Sequence, residues 1–214
     1  MPDPTDILTQ FDIPEMLKVY SREDNYEVVD FDNRDNRCFI FFSSHGLYYP
    51  NTPETFHQAV VENDRYEWRR NMPSFVRRVI LVRDVTKQWY LDGISAHTNT
   101  IELLMSVLRQ ETAGMKVVCV GSSAGGYAAV LFGCLLNASH VFSFSGQFSL
   151  LPYLWSAEDR ALNPTLVRYE SIAAYRKYFS LRTFLAETAT SVFYFYPARC
   201  REDVVQRKFA EGLD

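Results

Sequence analysis

The sequence predicts an α/β fold in which a mostly parallel sheet is flanked by helices. Short apolar runs of strand length alternate with longer amphipathic stretches, which is typical of parallel strands joined by crossover helices. The chain has 214 residues, a length that fits one domain, and 47% of them are hydrophobic, which is enough for a full core. These observations predict a single domain over residues 1–214.

Six runs have the length and composition of strands. The first two are candidates for a hairpin, because the Asn- and Asp-rich segment Asp32–Asn36 between them favours a turn. The last four are nearly continuous in β-branched and aromatic residues, which is typical of central strands covered on both faces. The predicted strands are Tyr26–Phe31, Cys38–Ser43, Val76–Arg83, Lys116–Gly121, His140–Phe144 and Ser191–Tyr196.

Two helices are predicted between these strands. Asn99–Glu111 places apolar residues on one helical face, and Gly114 is expected to follow its end. Ala124–Leu136 is rich in small residues, so it can lie close to a sheet. The apolar face of the first helix consists of Ile101, Leu104, Met105 and Leu108.

Two longer segments are predicted as excursions from the sheet. Residues 148–190 contain helical runs, including Ser171–Phe179 and Leu181–Glu187, and lie between two strands. Such an insertion is typical of a helical cap or lid over a site. Pro50–Pro73 is polar and ends in proline, which predicts a long loop or short helices.

The charge pattern argues against several classes of partner. There are 22 basic and 26 acidic residues without a long like-charged block, so neither nucleic-acid nor membrane binding is expected. The four cysteines are scattered, which favours reduced thiols. The N-terminal segment contains acidic residues and prolines, and no run of 18 apolar residues follows. We therefore expect a cytoplasmic protein with a small-molecule or protein partner.

The strongest motif is Gly121–Gly126 (GSSAGG), which contains G-x-S-x-G between a predicted strand and a predicted helix. A sharp strand-to-helix turn would present Ser123 above the sheet, and the flanking glycines would give the turn room. The free N–H groups of the following helix can stabilise an oxyanion when a serine attacks a carbonyl. A phosphate-binding loop and a purely structural turn are the alternatives.

On this motif the chain resembles the α/β-hydrolase superfamily over roughly residues 26 to 210. The His45-Gly46 pair after the second strand and an acidic pair after the last one add to the resemblance. The stretch Trp89–Gly93 (WYLDG) and the motif's helix are similar to esterase-like proteins of bacterial surface-polysaccharide biosynthesis.

The resemblance implies roles for individual residues. Ser123 corresponds to the nucleophile, and the Ala124 N–H to one oxyanion donor. Gly46 or Leu47 is expected to supply the second donor. Asp203 stands where the family has the acid that orients its histidine, although a helix N-cap is the structural alternative. The neighbouring Glu202 is the second choice for this acid, and Gln147 is expected to line the pocket.

The family's catalytic histidine should follow one more strand, which this sequence does not contain. His45 and His97 follow strands on the side of the sheet where Ser123 is expected, so either could act as the base in place of the family's histidine. His140 begins a strand and is expected at the opposite edge. A shortened chain, a substitute histidine or a loss of catalysis would each explain the pattern. An exposed last strand would also be covered in a homodimer.

The sequence therefore predicts a serine hydrolase that acts on a carboxylic ester or thioester, or transfers its acyl group, through an acyl-enzyme on Ser123. The weaker resemblance implies an acylated glycan as the substrate. We expect no cofactor and no metal. The alternative is a catalytically inactive binding or assembly protein with the same fold.

Overall fold

A computed structural model of the chain describes residues 13–22 and 24–212. Each predicted strand is present in it, close to its predicted bounds. The most N-terminal part of the segment used to predict localisation lies outside the described residues. The strands are β1 (Tyr26–Asp30), β2 (Arg37–Phe42), β3 (Arg78–Val82), β4 (Lys116–Ser122), β5 (His140–Phe144) and β6 (Ser191–Phe195).

The strands form one mixed sheet in the order β1-β3-β2-β4-β5-β6. β1 is antiparallel to β3, and all other neighbours are parallel. The predicted hairpin of the first two strands is therefore wrong. Ile40 of β2 lies opposite Ile80 on one side and Cys119 on the other, so β2 has a parallel neighbour on each side. A hairpin with β1 would replace one of them.

The helices follow the prediction between the central strands and are shorter elsewhere. Thr100 caps the first long helix, because its side chain accepts a hydrogen bond from the Leu103 N–H at 3.1 Å. The predicted helix Ser171–Phe179 is reduced to Ala173–Arg176. The helices are α1 (Pro14–Arg22), α2 (Pro53–Phe56), α3 (Ile101–Glu111), α4 (Ala124–Leu136), α5 (Ala157–Leu162), α6 (Pro164–Tyr169), α7 (Ala173–Arg176), α8 (Arg182–Ala186) and α9 (Arg201–Ala210).

Single helical turns complete the two excursions. Residues 50–73 contain α2, a π-helical turn over His57–Glu62 and a 3-10 turn over Arg69–Asn71. Residues 148–190 contain the 3-10 turn Leu151–Leu154 followed by α5 to α8. No helix in the described ranges has the length and apolar character needed to cross a membrane.

The core lies mainly on one face of the sheet, where α3 and α4 cover buried residues such as Ile40 and Cys119. The opposite face is covered over β2 and β3 by the segment around Tyr66. On β6, Phe193 and Phe195 remain 44% and 48% exposed, so β6 is an edge strand rather than the predicted central one. Phenylalanines of β6 stack on phenylalanines of β5, which explains the aromatic composition of β6. The ring centroids are 5.2 Å apart for Phe142–Phe193 and 5.1 Å apart for Phe144–Phe195.

Candidate active site

Ser123 occupies a strained turn between β4 and α4. Its φ and ψ are 49° and −123°, a conformation that costs a non-glycine residue about 1–3 kcal/mol. The turn is tight: a Cβ on Gly121 would lie 2.1 Å from the Gly125 carbonyl oxygen. The Ser123 N–H donates to the Phe144 carbonyl of β5 at 2.9 Å, which fixes the turn on the sheet. The G-x-S-x-G spacing thus follows from close backbone contacts.

Ser123 lies in a cavity of about 340 Å³ at the carboxyl end of the parallel strands. His45 follows β2, Ser123 follows β4 and Gln147 follows β5, so three neighbouring strands contribute to it. The loop after β3 adds Trp89. Residues 148–190 close the other side with Tyr153, Asp159, Leu162 and Asn163.

Of the predicted bases, His45 shares this cavity with Ser123 and His97 does not. His97 is exposed on the loop before α3. The His45 Nε2 is buried and has no hydrogen-bond partner among the described residues. The ring packs edge-on against Trp89, with centroids 4.6 Å apart. Burial, with a smaller effect of the Lys87 charge, lowers the pKa of His45 to about 3. The imidazole is therefore neutral near pH 7 and able to accept a proton.

This buried imidazole makes a testable contribution to stability. Between pH 6.5, near the ordinary pKa of histidine, and pH 3, the unfolded chain binds a proton that the folded chain excludes. The free energy of unfolding should therefore fall as the pH falls, by at most about 1.4 kcal/mol per pH unit from this group. Urea titrations from pH 7 to 4 should show a shallower fall for His45→Gln than for the wild type. Parallel curves for the two proteins would contradict this expectation.

Two backbone N–H groups of the turn that holds His45 form hydrogen bonds within the turn. Ser44 Oγ accepts from the Gly46 N–H at 2.9 Å, and the Ser44 carbonyl accepts from the Leu47 N–H at 3.2 Å. Glu67 anchors the turn by accepting from the Ser44 N–H at 2.6 Å and the Ser44 hydroxyl at 2.7 Å. Both amides predicted as the second oxyanion donor are therefore engaged inside the turn. The His45 N–H has no acceptor in the described part of the chain.

Ala124 begins α4, and Gln147 lines the Ser123 cavity. Ala124 is the first residue of α4, so its N–H has no acceptor within the helix. Gln147 is buried, and its Oε1 accepts from Trp89 Nε1 at 3.1 Å. Trp89 also contacts Tyr153, with ring centroids 5.3 Å apart. These contacts fix the polar and aromatic walls of the cavity.

The predicted acid Asp203 lies in the first turn of α9 and is not among the residues that line the cavity. It is buried, and the Tyr194 hydroxyl donates to its carbonyl oxygen at 3.4 Å. Burial of Tyr153, aided by the charge of Asp203, raises the pKa of Tyr153 to about 12. Glu202, next to Asp203 in the chain, is exposed.

Sequence reasoning missed Asp84, which organises the loop that carries Trp89. Asp84 is buried, and its Oδ1 accepts from the Thr86 N–H at 2.9 Å and from the Thr86 hydroxyl at 2.6 Å. Its Oδ2 accepts from the N–H groups of Gln88 at 2.7 Å and Tyr90 at 2.9 Å. An Asp directly after a buried strand, with Thr two residues later, is the available signal for such a turn.

The chain matches no protein-family model and no curated protein sequence. Solved structures with the same fold include the capsule O-acetyltransferase of Neisseria meningitidis serogroup A, at a TM-score of 0.59 and 13% identity over 90% of this chain and 79% of that one. Esterase B from Lactobacillus rhamnosis has a TM-score of 0.53 and 12% identity over 93% and 74% of the two chains. An S-formylglutathione hydrolase from Staphylococcus aureus has a TM-score of 0.51 and 12% identity over 88% and 79%. The six-stranded sheet, its flanking helices and these similarities show that the chain has an α/β-hydrolase-like fold.

Proposed function

We propose that this protein is a serine esterase or acyltransferase that forms an acyl-enzyme on Ser123. The observation that carries the proposal is the shared cavity of Ser123, on its strained turn, and the unpartnered Nε2 of His45. A buried polar atom without a partner costs stability, and the position of this atom's ring in the same cavity as Ser123 supports a catalytic role. The names of the structural neighbours, an acetyltransferase and esterases, agree with this chemistry.

In the proposed mechanism, Ser123 Oγ attacks the carbonyl carbon of the ester or thioester while its proton passes to His45 Nε2. The Ala124 N–H stabilises the oxyanion of the tetrahedral intermediate, with the free His45 N–H as the second donor. The intermediate collapses, and the leaving alkoxide or thiolate takes the proton from His45. Water or an acceptor hydroxyl then attacks the acyl-enzyme and loses its proton to His45. The second tetrahedral intermediate collapses with cleavage of the bond between the acyl carbon and Ser123 Oγ, and Oγ takes the proton back from His45 as the acid or new ester leaves.

The lining of the cavity supports a polar substrate such as an acylated glycan. Trp89 and Tyr153 provide ring surfaces, while Asp159 and Asn163 provide groups that hydrogen-bond hydroxyls. In this proposal residues 148–190 act as the cap, because they supply the wall opposite the sheet. A cytoplasmic location and a homodimer that covers β6 complete the proposal.

A second candidate function is binding without catalysis. Asp203 does not line the cavity, and His45 has no carboxylate partner in the described ranges. A histidine whose pKa is held near 3 by burial is also a weak base. These observations favour an inactive hydrolase-like protein that retains the cavity as a binding site.

Covalent labelling of the full chain with a fluorophosphonate, followed by intact mass, decides between the two candidates. We expect one adduct on the wild type and none on Ser123→Ala. His45→Gln should slow labelling by about 100-fold or more, because general-base catalysis contributes on the order of 10²–10⁴. His97→Gln is the matched control and should label like the wild type, because His97 lies outside the cavity.

The outcomes are distinct. A wild-type protein that shows a cooperative unfolding transition but takes no label would favour the binding function. Loss of labelling in His97→Gln, with His45→Gln unaffected, would keep the esterase and overturn the choice of base.

A further inference from the structure

A second and larger cavity, of about 630 Å³, lies between the turn after His45 and residues 55–70. Its size falls in the range of about 300–1,000 Å³ that is usual for small-molecule sites. It is formed by residues other than those of the Ser123 cavity, so it is a separate site. The residues on which the inference rests are Tyr48, Tyr49, Gln58, Arg65, Arg69 and Arg70.

The two carboxylates at this cavity are already engaged within the protein. Asp64 Oδ1 accepts from Arg83 at 2.9 Å, and Oδ2 accepts from Arg69 at 2.9 Å. Glu67 accepts from the N–H and the hydroxyl of Ser44, which uses both of its oxygens. Neither carboxylate forms an ion pair with the two remaining arginines.

Within the described residues, Arg65 and Arg70 are two unpaired positive charges at the cavity, against the single unpaired negative charge of Glu67, so the charged residues of the lining sum to +1. Both are exposed, and the guanidinium of neither makes an ion pair or hydrogen bond to residues 13–22 or 24–212. Guanidinium groups present paired donors that match the oxygens of a phosphate, and they keep their charge at any physiological pH. With the Glu67 charge subtracted, these two groups still leave the lining with a net positive charge that attracts an anion.

The rest of the cavity suits a planar, uncharged group. The Tyr49 ring is 64% exposed, and the amide of Gln58 lies on the same wall. Inorganic phosphate alone would leave most of the 630 Å³ empty. The ring surface and amide can receive a base by stacking and hydrogen bonding.

We infer that this cavity binds a phosphate-bearing ligand of nucleotide size, with the phosphates at Arg65 and Arg70 and the ring system near Tyr49. The site does not depend on acyl transfer at Ser123. It is connected to the Ser123 cavity through the Ser44–Glu67 hydrogen bonds, because the same turn carries His45 and Tyr48.

Calorimetric titration of the full chain with ADP tests the inference. We expect ADP to bind in low salt, and its affinity to fall as NaCl screens the arginines. Arg65→Gln/Arg70→Gln should weaken ADP binding by about 10-fold or more, because the charge-assisted hydrogen bonds to the phosphates are lost. The matched control is Arg77→Gln/Arg199→Gln, which removes two exposed positive charges outside the cavity and should bind like the wild type.

Adenosine and pyrophosphate separate the two halves of the ligand, and each should bind at least about 10-fold more weakly than ADP. Absence of ADP binding at millimolar concentration would overturn the inference. So would equal weakening in the two double variants, or pyrophosphate binding as tightly as ADP. Thermal unfolding of both double variants should match the wild type, because the substituted side chains are exposed.

Discussion

Asp84→Ala should lower the free energy of unfolding by about 3 to 5 kcal/mol. The carboxylate accepts three backbone N–H bonds and one hydroxyl bond inside the protein. Alanine leaves these donors without an acceptor, and an unsatisfied buried donor costs about 1–3 kcal/mol. Burial raises the pKa of Asp84, which shows that desolvation of its charge is unfavourable, and alanine removes this cost. The expected loss of stability is therefore smaller than the sum of the costs of four unsatisfied donors.

Asp84 also holds an unusual backbone. Trp89 and Tyr90 have φ of 52° and 60°, which non-glycine residues rarely adopt. The bond from the Tyr90 N–H to Asp84 fixes this conformation and thereby places the Trp89 ring against His45 and Gln147. We therefore expect Asp84→Ala to disturb the Ser123 cavity as well as stability.

Urea unfolding at pH 7 measures the effect, with two comparison variants. Asp84→Asn keeps one acceptor oxygen and should cost about 1–3 kcal/mol. Asp32→Ala removes an exposed carboxylate and should stay within about 0.5 kcal/mol of the wild type. If Asp84→Ala costs no more than Asp32→Ala, the loop does not depend on this carboxylate.

Local sequence signals predict the strands and the Ser123 turn, because both depend on residues close in the chain. The run from Lys116 to Leu136 combines β-branched residues, two glycines at fixed spacing and a small-residue helix, and the structure has these elements as predicted. Strand pairing depends on distant residues. The Asp32–Asn36 segment has turn composition, yet β1 pairs with β3, because β2 is buried between two parallel neighbours.

The sequence predicts only those residues of the candidate site whose positions follow from the ends of the parallel strands. Ser123, His45 and Gln147 each follow a parallel strand, so the strand ends bring them to one edge. Asp159 and Asn163 come from residues 148–190, and their approach depends on how the short helices of that segment pack. Asp203 is predicted as the acid from its place after the last strand, but it lies in the first turn of α9 and does not line the cavity.

Gly125→Ala tests the close contact on which the Ser123 turn depends. In an ordinary helix this change adds about 1 kcal/mol of stability, because alanine favours the helix. Here we expect the opposite sign and a loss of about 2 to 4 kcal/mol. The new Cβ would lie 2.2 Å from the Phe42 carbonyl oxygen and 2.9 Å from the Ser43 carbonyl oxygen.

The obstructing atoms belong to the backbone at the end of β2. A change of side-chain rotamer therefore cannot relieve the clash, and a small backbone shift is not enough. α4 must therefore retreat from the sheet, and it carries Ser123 with it, so labelling of Ser123 should slow together with the loss of stability. Gly114→Ala is the matched control. No atom of the described residues beyond its two chain neighbours lies within 4 Å of the new Cβ, so its φ of 74° accounts for the cost of about 1 kcal/mol. A Gly125→Ala protein as stable as the wild type in urea would mean that α4 and β2 are farther apart than this turn requires.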